Sequence, residues 1–375
     1  MMQSEDTAVV NAEPFRYRVR KSVEWRLRHR AVQKTLINLG ALVVLCVVWA
    51  HQSDVFLTGG NVENILQQIT VVAIIGCPFT LLMVAGAFDL SVGGCAALSG
   101  TVSAVLAVHG MSVPVAFLGG VGVGLAVGAL NAVLVVFVGI NSFIATIGTM
   151  YVCRGVADLL TGGVSVTGLP SGYPGLGNDR WQGIPIIVLI MIAFVIVFAV
   201  IQRSTLLGRY SIAAGSNEQA SFLSGVPVRR TRTICFLLTG AAAAFAGVII
   251  SSQLDAGLPD ASVGLEFSVI VAAVVGGISL WGGEGRVAGT FLGALIIGVV
   301  NNGLDLSLVP SYWQTVALGC LLCVAVGIDV LLQQRAQFAG AVRSVLAPRR
   351  AWRSRHSRVW RPPESESSVK TIRPK

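Results

Sequence analysis

Apolar residues run almost without interruption from residue 36 to residue 332, in stretches long enough to cross a lipid bilayer. A spanning helix needs about 20 mostly apolar residues, so this region has room for about ten helices joined by short links. The pattern therefore predicts an all-α polytopic membrane protein. The predicted helices occupy residues 35–51, 113–137, 142–162, 184–201, 233–253, 265–281, 287–305 and 312–332, with two more in 65–108 on either side of a break at 86–94.

One stretch inside this region is plainly polar: residues 202–232, here called the basic loop. It holds five arginines and a single acid, Glu218. Apolar residues recur in it at partial helical spacing: Ile212, Ala213, Ala220, Leu223 and Val226. A short helix between turns at Gly215 and Gly225 would suit docking into a groove of a soluble partner. An ordinary solvated loop is the alternative.

Lysine and arginine are concentrated in three places: residues 1–34, the basic loop and residues 333–375. Such clustering is the positive-inside signature, which places all three in the cytoplasm. Ten crossings also return the C-terminus to the side of the N-terminus, so both termini are predicted to be cytoplasmic. The chain is therefore divided into a basic N-terminal segment (1–34), a transmembrane domain (35–332) and a basic tail (333–375) that is disordered at the membrane surface.

The composition limits the class of protein further. With 54% hydrophobic and 12% charged residues, the chain falls among polytopic membrane proteins. A net charge of +9 could indicate nucleic-acid binding, and the tail could be a nucleic-acid arm. No nucleic-acid-binding fold accompanies the tail, so no nucleic-acid partner is predicted.

The residues needed for most enzymatic chemistry are missing from the sequence. A nucleotide-binding GxxxxGK[ST] loop requires a lysine after glycine, and none of Lys21, Lys34, Lys370 and Lys375 follows one. No histidine falls in the middle of a predicted helix, which disfavours protease chemistry. The seven cysteines lie in apolar stretches, where small packing residues are the favoured interpretation. We expect no catalytic residue, metal site or cofactor site, and the chain is not predicted to be an enzyme.

Polar residues at membrane depth are candidates for a translocation path or for gating. The charged candidate is Asp89, which could instead cap the start of the following helix together with Ser91. The uncharged candidates are Asn141, Ser142, Thr146, Thr149, Asn301 and Asn302. Such groups suit a path for a neutral polyhydroxylated solute, and interhelical hydrogen bonds are an equally good explanation.

Two further patterns have structural explanations. Arg154 and Asp158 are spaced i, i+4, which predicts an ion pair on one helix face. Glycines recur every fourth residue in two helices, and such faces let helix backbones approach closely in lipid. These glycines are Gly120, Gly124 and Gly128 in one helix and Gly285, Gly289 and Gly293 in another.

Several ordered motifs resemble ABC-importer permeases of the ribose, xylose, arabinose and galactose type. The first is Asp89-Leu-Ser-Val-Gly93, which resembles the DLSVG signature of that family. The others are Asn141-Ser-Phe-Ile-Ala-Thr-Ile-Gly-Thr149, Gly215-Ser-Asn-Glu-Gln-Ala220 with Ser224-Gly-Val226, Gly276-Gly-Ile-Ser-Leu-Trp-Gly-Gly-Glu-Gly-Arg286 and Gly289-Thr-Phe-Leu-Gly-Ala294. The resemblance covers roughly residues 40–332. The sequence departs mildly from the pattern of that family at Ala87-Phe88, Ser221 and Ser268.

The resemblance implies a multi-pass inner-membrane permease that takes up a monosaccharide by alternating access. Its partners would be a cytoplasmic ATP-binding subunit, which uses the ATP, an extracytoplasmic sugar-binding protein, and a second permease copy or paralogue in the bilayer. The residues expected to contact the ATP-binding subunit are Gly215, Asn217, Glu218, Ala220, Leu223 and Gly225. The alternatives are a permease of the same fold for a nucleoside, furanose autoinducer, polyol or branched-chain amino acid, or a stand-alone channel or secondary carrier.

Overall fold

The structure, a computed structural model, describes residues 35–346, which form helices joined by short links and one short two-stranded ribbon. The helices are α1 Thr35–Gln52, α2 Gly59–Val84, α3 Val92–Val108, α4 Val113–Ala132 with a π-helical end Val133–Phe137, α5 Ser142–Thr161, α6 Gly175–Asn178, α7 Ile186–Ser204, α8 Leu206–Ser216, α9 Glu218–Leu223, α10 Val228–Leu254, α11 Leu265–Val275, α12 Val287–Leu306 and α13 Tyr312–Leu346. Strands β1 (Arg180–Trp181) and β2 (Ile184–Pro185) pair antiparallel before α7. The predicted basic segment 1–34 and the tail from residue 347 lie outside the described residues. Residues 333–346 were predicted to belong to the disordered tail, and this part of the prediction was wrong because they continue helix α13.

Seven helices of the described region are long and apolar enough to cross a membrane: α1, α2, α4 with its π-helical end, α5, α7, α10 and α12. Three shorter apolar helices accompany them: α3, α11 and the first part of α13. The predicted all-α polytopic membrane fold is confirmed. The count of about ten crossings and the cytoplasmic location of both termini stay predictions.

The predicted break within residues 86–94 is present. Helix α2 ends at Val84, Gly86 adopts a positive φ of 80°, and α3 begins at Val92. Glycine is favoured at this position because an L side chain there would strain the backbone. The break separates the two helices instead of leaving one long rod, so that α3 packs against α4, α5 and α10 while α2 packs against α7, α10 and α12.

Glycine faces bring the helix backbones into direct contact. A Cβ atom on Gly128 of α4 would lie 2.6 Å from the Phe236 carbonyl oxygen of α10, and one on Gly124 would overlap the Gly240 carbonyl oxygen. Gly289 of α12 approaches the backbone of Gly276 in the same way. The predicted close packing is confirmed for these glycines, and it brings the helices close enough for extensive dispersion contacts. Gly285 lies before the start of α12, with a φ of 151°, so its predicted place on the glycine face of that helix was wrong.

The helix predicted at 265–281 is shorter than expected. Helix α11 ends at Val275, and the preceding link, residues 255–264, is not helical although part of it lies inside the bundle. The Ser262 hydroxyl donates to the Gly93 carbonyl oxygen of α3 at 2.9 Å, and Gly257 pairs with Val166. Irregular backbone at membrane depth is tolerated where protein or a water-filled cavity surrounds it.

The loop between α5 and α7 packs onto the ends of α3 and α10 through Tyr173. Its ring is fully buried and meets Phe117 edge-on, with ring centroids 5.0 Å apart. Its hydroxyl donates to Ser103 Oγ at 3.0 Å and pairs with Ser251 Oγ at 2.9 Å. Burial raises the pKa of Tyr173, so the hydroxyl stays protonated and available as a donor.

Helices α2 and α12 are joined by a reciprocal amide pair. Asn61 Nδ2 donates to Asn302 Oδ1 at 2.9 Å, and Asn302 Nδ2 donates to Asn61 Oδ1 at 2.8 Å. Asn61 also donates to the Phe56 carbonyl oxygen. Both side chains are buried, so Asn302 forms an interhelical hydrogen bond, the structural alternative weighed for it above.

We expect Asn302→Ala to destabilise the protein by about 1–2 kcal/mol, because Asn61 would lose its amide partner inside the bundle. The measurement is the melting temperature of the purified chain in mild detergent. Asn301→Ala is the matched control, since the Asn301 side chain makes no hydrogen bond within the described region. Equal melting temperatures for the two variants would contradict a stabilising role for the pair.

Candidate functional site

The turn between α2 and α3 is held by Asp89, which is almost completely buried. Its Oδ1 atom accepts hydrogen bonds from the Ser91 backbone N–H at 2.9 Å, from the Ser91 hydroxyl at 2.5 Å and from Asn131 Nδ2 at 3.2 Å. Asp89 and Ser91 therefore stabilise the turn before α3 by bonding to each other. The predicted side-chain cap of α3 is not formed, since Ser91 stands at the N-cap without a side-chain hydrogen bond to the helix. Asn131 of α4 was missed from the sequence, although it is a polar residue within an apolar helix.

The same turn is tied to α5 by two hydroxyl groups. Ser142 Oγ accepts the Phe88 N–H at 3.2 Å, and Thr146 Oγ1 accepts the Leu90 N–H at 3.0 Å. Four predicted path residues, Asp89, Ser91, Ser142 and Thr146, thus meet in one network. This network satisfies backbone groups that would otherwise be buried without partners.

Two other predicted path residues on α5 lie outside this network. Asn141 caps the helix by accepting the Phe143 N–H at 3.0 Å. Thr149 is buried, and its hydroxyl donates to the Ala145 carbonyl oxygen of its own helix. Their hydrogen bonds are local and stabilise α5 itself.

The basic loop folds into two short helices, α8 and α9, with the break at Asn217 instead of Gly215. Asn217 caps α9 by accepting the Ala220 N–H at 2.9 Å, and Gly225 closes it with a φ of 80°. Glu218 pairs with Arg232 at 2.9 Å. The loop is therefore ordered as predicted, with its helix break two residues later than expected.

The outer face of α9 is unexpectedly apolar. Phe222 is 72% exposed and Leu223 is 79% exposed, and the neighbouring Ala220 is also exposed. Leu223 and Ala220 were predicted from the sequence, whereas Phe222 was missed. An exposed aromatic and an exposed leucine beside charged groups make this face a candidate interaction surface.

The basic loop meets the end of α2 at a crossing that we call the glycine joint, formed by Gly86, Gly215, Gly282 and Gly283. The Gly283 N–H donates to the Val84 carbonyl oxygen at 2.8 Å. A Cβ atom on Gly215 would overlap that same oxygen, and one on Gly282 would lie 3.0 Å from Gly86 Cα. Gly215 thus contacts other backbone of this chain, and the glycine-rich segment that includes Gly282 and Gly283 forms a tight turn.

Arg232 reinforces this crossing from α10. Its Nε donates to the Ala85 carbonyl oxygen at 3.0 Å, at the point where α2 ends. The basic loop is consequently attached to the backbone that leads directly into the Asp89 turn. A displacement of α8 and α9 could therefore be transmitted to α3 and α5 through few covalent and hydrogen-bonded steps.

A buried ion pair joins α5 to the start of α11. Arg154 Nη2 donates to both carboxylate oxygens of Glu266, at 3.0 and 3.2 Å, and the Glu266 side chain is nearly inaccessible. A Cβ atom on Gly93 would overlap this carboxylate, which explains the glycine there. The predicted pairing of Arg154 with Asp158 was wrong. The sequence did hold a sign of the true partner, because Glu266 is a lone acid in an apolar stretch.

A cavity of about 680 Å³ lies between α2, α11, α12, α13 and the link before α11. Its polar lining consists of Gln68, Ser262, Ser268, Asn301, Ser311, Tyr312, Gln314 and Thr315. Asn301 is therefore the predicted path residue that the structure places at a cavity. The neighbouring Asn302 points elsewhere, toward Asn61.

Comparison with known proteins gives a consistent picture. Residues 61–326 match the family described as branched-chain amino acid transport system / permease component. The chain is 40% identical to the ribose import permease protein of Escherichia coli K12 over 79% of this chain and 93% of the relative. It is 35% identical to the L-arabinose ABC transporter permease protein of Azospirillum brasilense, over 81% and 88% of the two chains. No solved structure was found to match it.

A third relative is named for another monosaccharide. It is the D-allose transport system permease protein of Escherichia coli K12, 35% identical over 78% of this chain and 90% of the relative.

We expect Arg154→Ala to destabilise the protein by about 3–5 kcal/mol, because it leaves the Glu266 carboxylate buried without its partner. Adding Glu266→Gln should recover much of that loss, since the buried group is then neutral. The measurement is thermal unfolding of both variants in detergent. A double variant as unstable as the single one would mean that the carboxylate is not the cause.

Proposed function

This chain belongs to the family described as branched-chain amino acid transport system / permease component, and we propose that it is the pore subunit of an ATP-driven monosaccharide importer in the inner membrane. The family is a transporter component and not an enzyme. The observation that carries the choice of cargo is the identity of 32–40% to permeases named for ribose, allose and arabinose, over most of the chain.

We propose that α9 is the part of the chain that docks into the ATP-binding subunit. Its exposed Phe222 and Leu223 offer the apolar contact, and Glu218 and Arg232 hold the helix in place. ATP would act by binding one conformation of the partner better than another, and the docked helix would carry that difference into this chain. The glycine joint then passes the movement to the end of α2 and the Asp89 turn.

The remaining partners follow from the same assignment. An extracytoplasmic sugar-binding protein would deliver the solute to the face opposite the basic loop. Import then requires that the pore open alternately to that face and to the cytoplasm. ATP is used by the partner subunit, with no cofactor on this chain.

We propose that a second permease copy packs against α5. One stripe of this helix is unoccupied in the single chain: Ile144, Gly148, Tyr151, Gly155 and Leu159. A Cβ atom on Gly148 or Gly155 would meet nothing within 4 Å, so another helix backbone could approach closely there. Helix α5 is also the least hydrophobic of the seven candidate spans, which favours a protein neighbour over lipid.

The proposal is tested by isolating the tagged chain from its host membrane in mild detergent. A co-purifying ATPase that is stimulated by a binding protein loaded with one monosaccharide would support the importer and identify its cargo. Stimulation by a nucleoside- or amino-acid-loaded binding protein would keep the mechanism and change the cargo. Solute flux through vesicles holding this chain alone would instead indicate a channel or carrier.

We expect the double substitution Phe222→Ser and Leu223→Ser to abolish co-purification of the ATPase while membrane insertion stays normal. Removing two exposed apolar anchors costs interface energy, often more than 2 kcal/mol, about 30-fold in affinity or more. The readout is the amount of ATPase bound per permease after affinity purification.

The matched control for this variant is Gln219→Ala, an exposed residue of the same helix that contributes little apolar surface. It should retain the ATPase. If the double variant binds as much ATPase as the unmodified chain, the docking surface lies elsewhere.

For the second copy, we expect Tyr151→Cys to form a disulfide-linked dimer under mild oxidation. Tyr151 is 66% exposed in the middle of the α5 stripe, and symmetric interfaces bring such positions close to their own copies. The experiment uses membranes that contain the chain with Cys320 and Cys323 changed to serine. Leu118→Cys on α4, which is 71% exposed, should stay monomeric. Equal cross-linking at both positions would rule out a specific α5 interface.

A further inference from the structure

The cavity between α2, α11, α12 and α13 has the size of a small-molecule site. Its volume of about 680 Å³ falls within the range of about 300–1,000 Å³ that is typical of ligand pockets. It lies toward the end of the bundle where α2 begins and α12 ends. The charge distribution predicts that this end faces away from the cytoplasm, the side from which an imported solute arrives.

Two amides at the cavity are free to bind a solute. Within the described part of the chain, neither Gln68 nor Asn301 makes a side-chain hydrogen bond; Asn301 is half-buried and Gln68 is exposed. Their sequence neighbours differ. Gln67 donates to Glu63, and Asn302 is fully engaged with Asn61. Each free amide offers both a donor and an acceptor, which matches a hydroxyl group that also does both.

The lining favours a neutral solute. No Asp, Glu, Lys or Arg is among the residues that line the cavity. One lining residue, Gln314, is bonded to a carboxylate outside the lining: its Nε2 donates to Asp305 Oδ1 at 2.5 Å. Moving a charged solute into a site without a counter-charge is costly, so an amino acid zwitterion would be disfavoured relative to a polyol. Phe267 and Tyr312 add aromatic surface for the apolar face of a sugar ring.

One wall of the cavity is formed by the start of α11, whose position is set by contacts with other helices. Gly264, Leu265 and Ser268 belong to the start of α11, and Glu266 in the same turn is held by Arg154 of α5. The far end of α11 is held by Asn38, whose Nδ2 donates to the Val275 carbonyl oxygen at 2.8 Å. A shift of α5 relative to α11 would therefore alter the cavity.

We propose that this cavity is a binding site within the permease for one neutral polyhydroxylated solute, with Gln68 and Asn301 as its hydrogen-bonding residues. The inference rests on the proposed importer function and adds to it a site for the cargo on this chain. Discrimination between neutral and charged solutes would then occur in the permease as well as in the binding protein.

The first test is chemical protection, which needs no transport. Ser268→Cys, in the chain with Cys320 and Cys323 changed to serine, is labelled with a thiol reagent in detergent. D-ribose, D-allose and L-arabinose at millimolar concentration are added in turn, with L-leucine as the zwitterionic comparison. We expect at least one sugar to slow labelling about threefold or more and leucine to have no effect. Labelling that no sugar slows would overturn the proposal.

The second test uses the complete importer in proteoliposomes with its loaded binding protein. We expect Gln68→Leu with Asn301→Leu to lower the sugar transported per ATP hydrolysed by about 10-fold, since two hydrogen bonds to the solute are lost. Gln67→Leu, the same change one residue from Gln68, should leave the ratio unchanged.

The two proposals fail in different ways. If the unmodified importer transports sugar and the double variant does so at the same ratio, the cavity site is refuted while the importer function stands. If the unmodified importer transports none of the sugars but one of them protects Ser268→Cys, the cavity site stands and the proposed function is refuted.

Discussion

Lipid offers no hydrogen-bonding partner to a protein backbone, so every interruption of a helix in this bundle must find partners among the protein's own groups. Two interruptions show how this is done. After the end of α2, the Phe88 and Leu90 N–H groups donate hydrogen bonds to the hydroxyl groups of Ser142 and Thr146 of α5. In the link before α11, Ser262 reaches the Gly93 carbonyl oxygen. Polar side chains thus supply the hydrogen bonds at both interruptions, and the cavity and the Asp89 turn both lie at such places.

The sequence contained most of the helical organisation because nearly every long apolar run became a helix. The break at 86–94, the glycine faces and the order in the basic loop were all readable as local patterns. Helix α11 was predicted too long. Its apolar sequence continues past Gly276 and Gly277, but the structure places the residues after Val275 in a turn. The positive φ of Gly277 ends the helix, and hydropathy does not report it.

The functional details were harder to predict for a different reason. Asn301 and Asn302 are identical in sequence terms, yet one faces a cavity and the other pairs with Asn61. Adjacent helix positions differ by about 100° around the axis. When a helix is apolar on most faces, its sequence does not predict which face meets a cavity and which meets another helix. Arg154 likewise had a plausible local partner in Asp158, while its true partner, Glu266, is distant in the sequence. Such pairings depend on how the helices pack.

The basic loop separates two tasks that a single surface could have combined. Its attachment to the bundle runs through the backbone of Gly215, Gly283 and Val84, whereas the side chains that face solvent are those of α9. Exchanging the exposed residues of α9 would leave the attachment intact. On the docking role proposed for α9, the segment is suited to exchange: replacing this one short helix would give the permease a different ATP-binding partner and leave the attachment of the loop to the bundle unchanged.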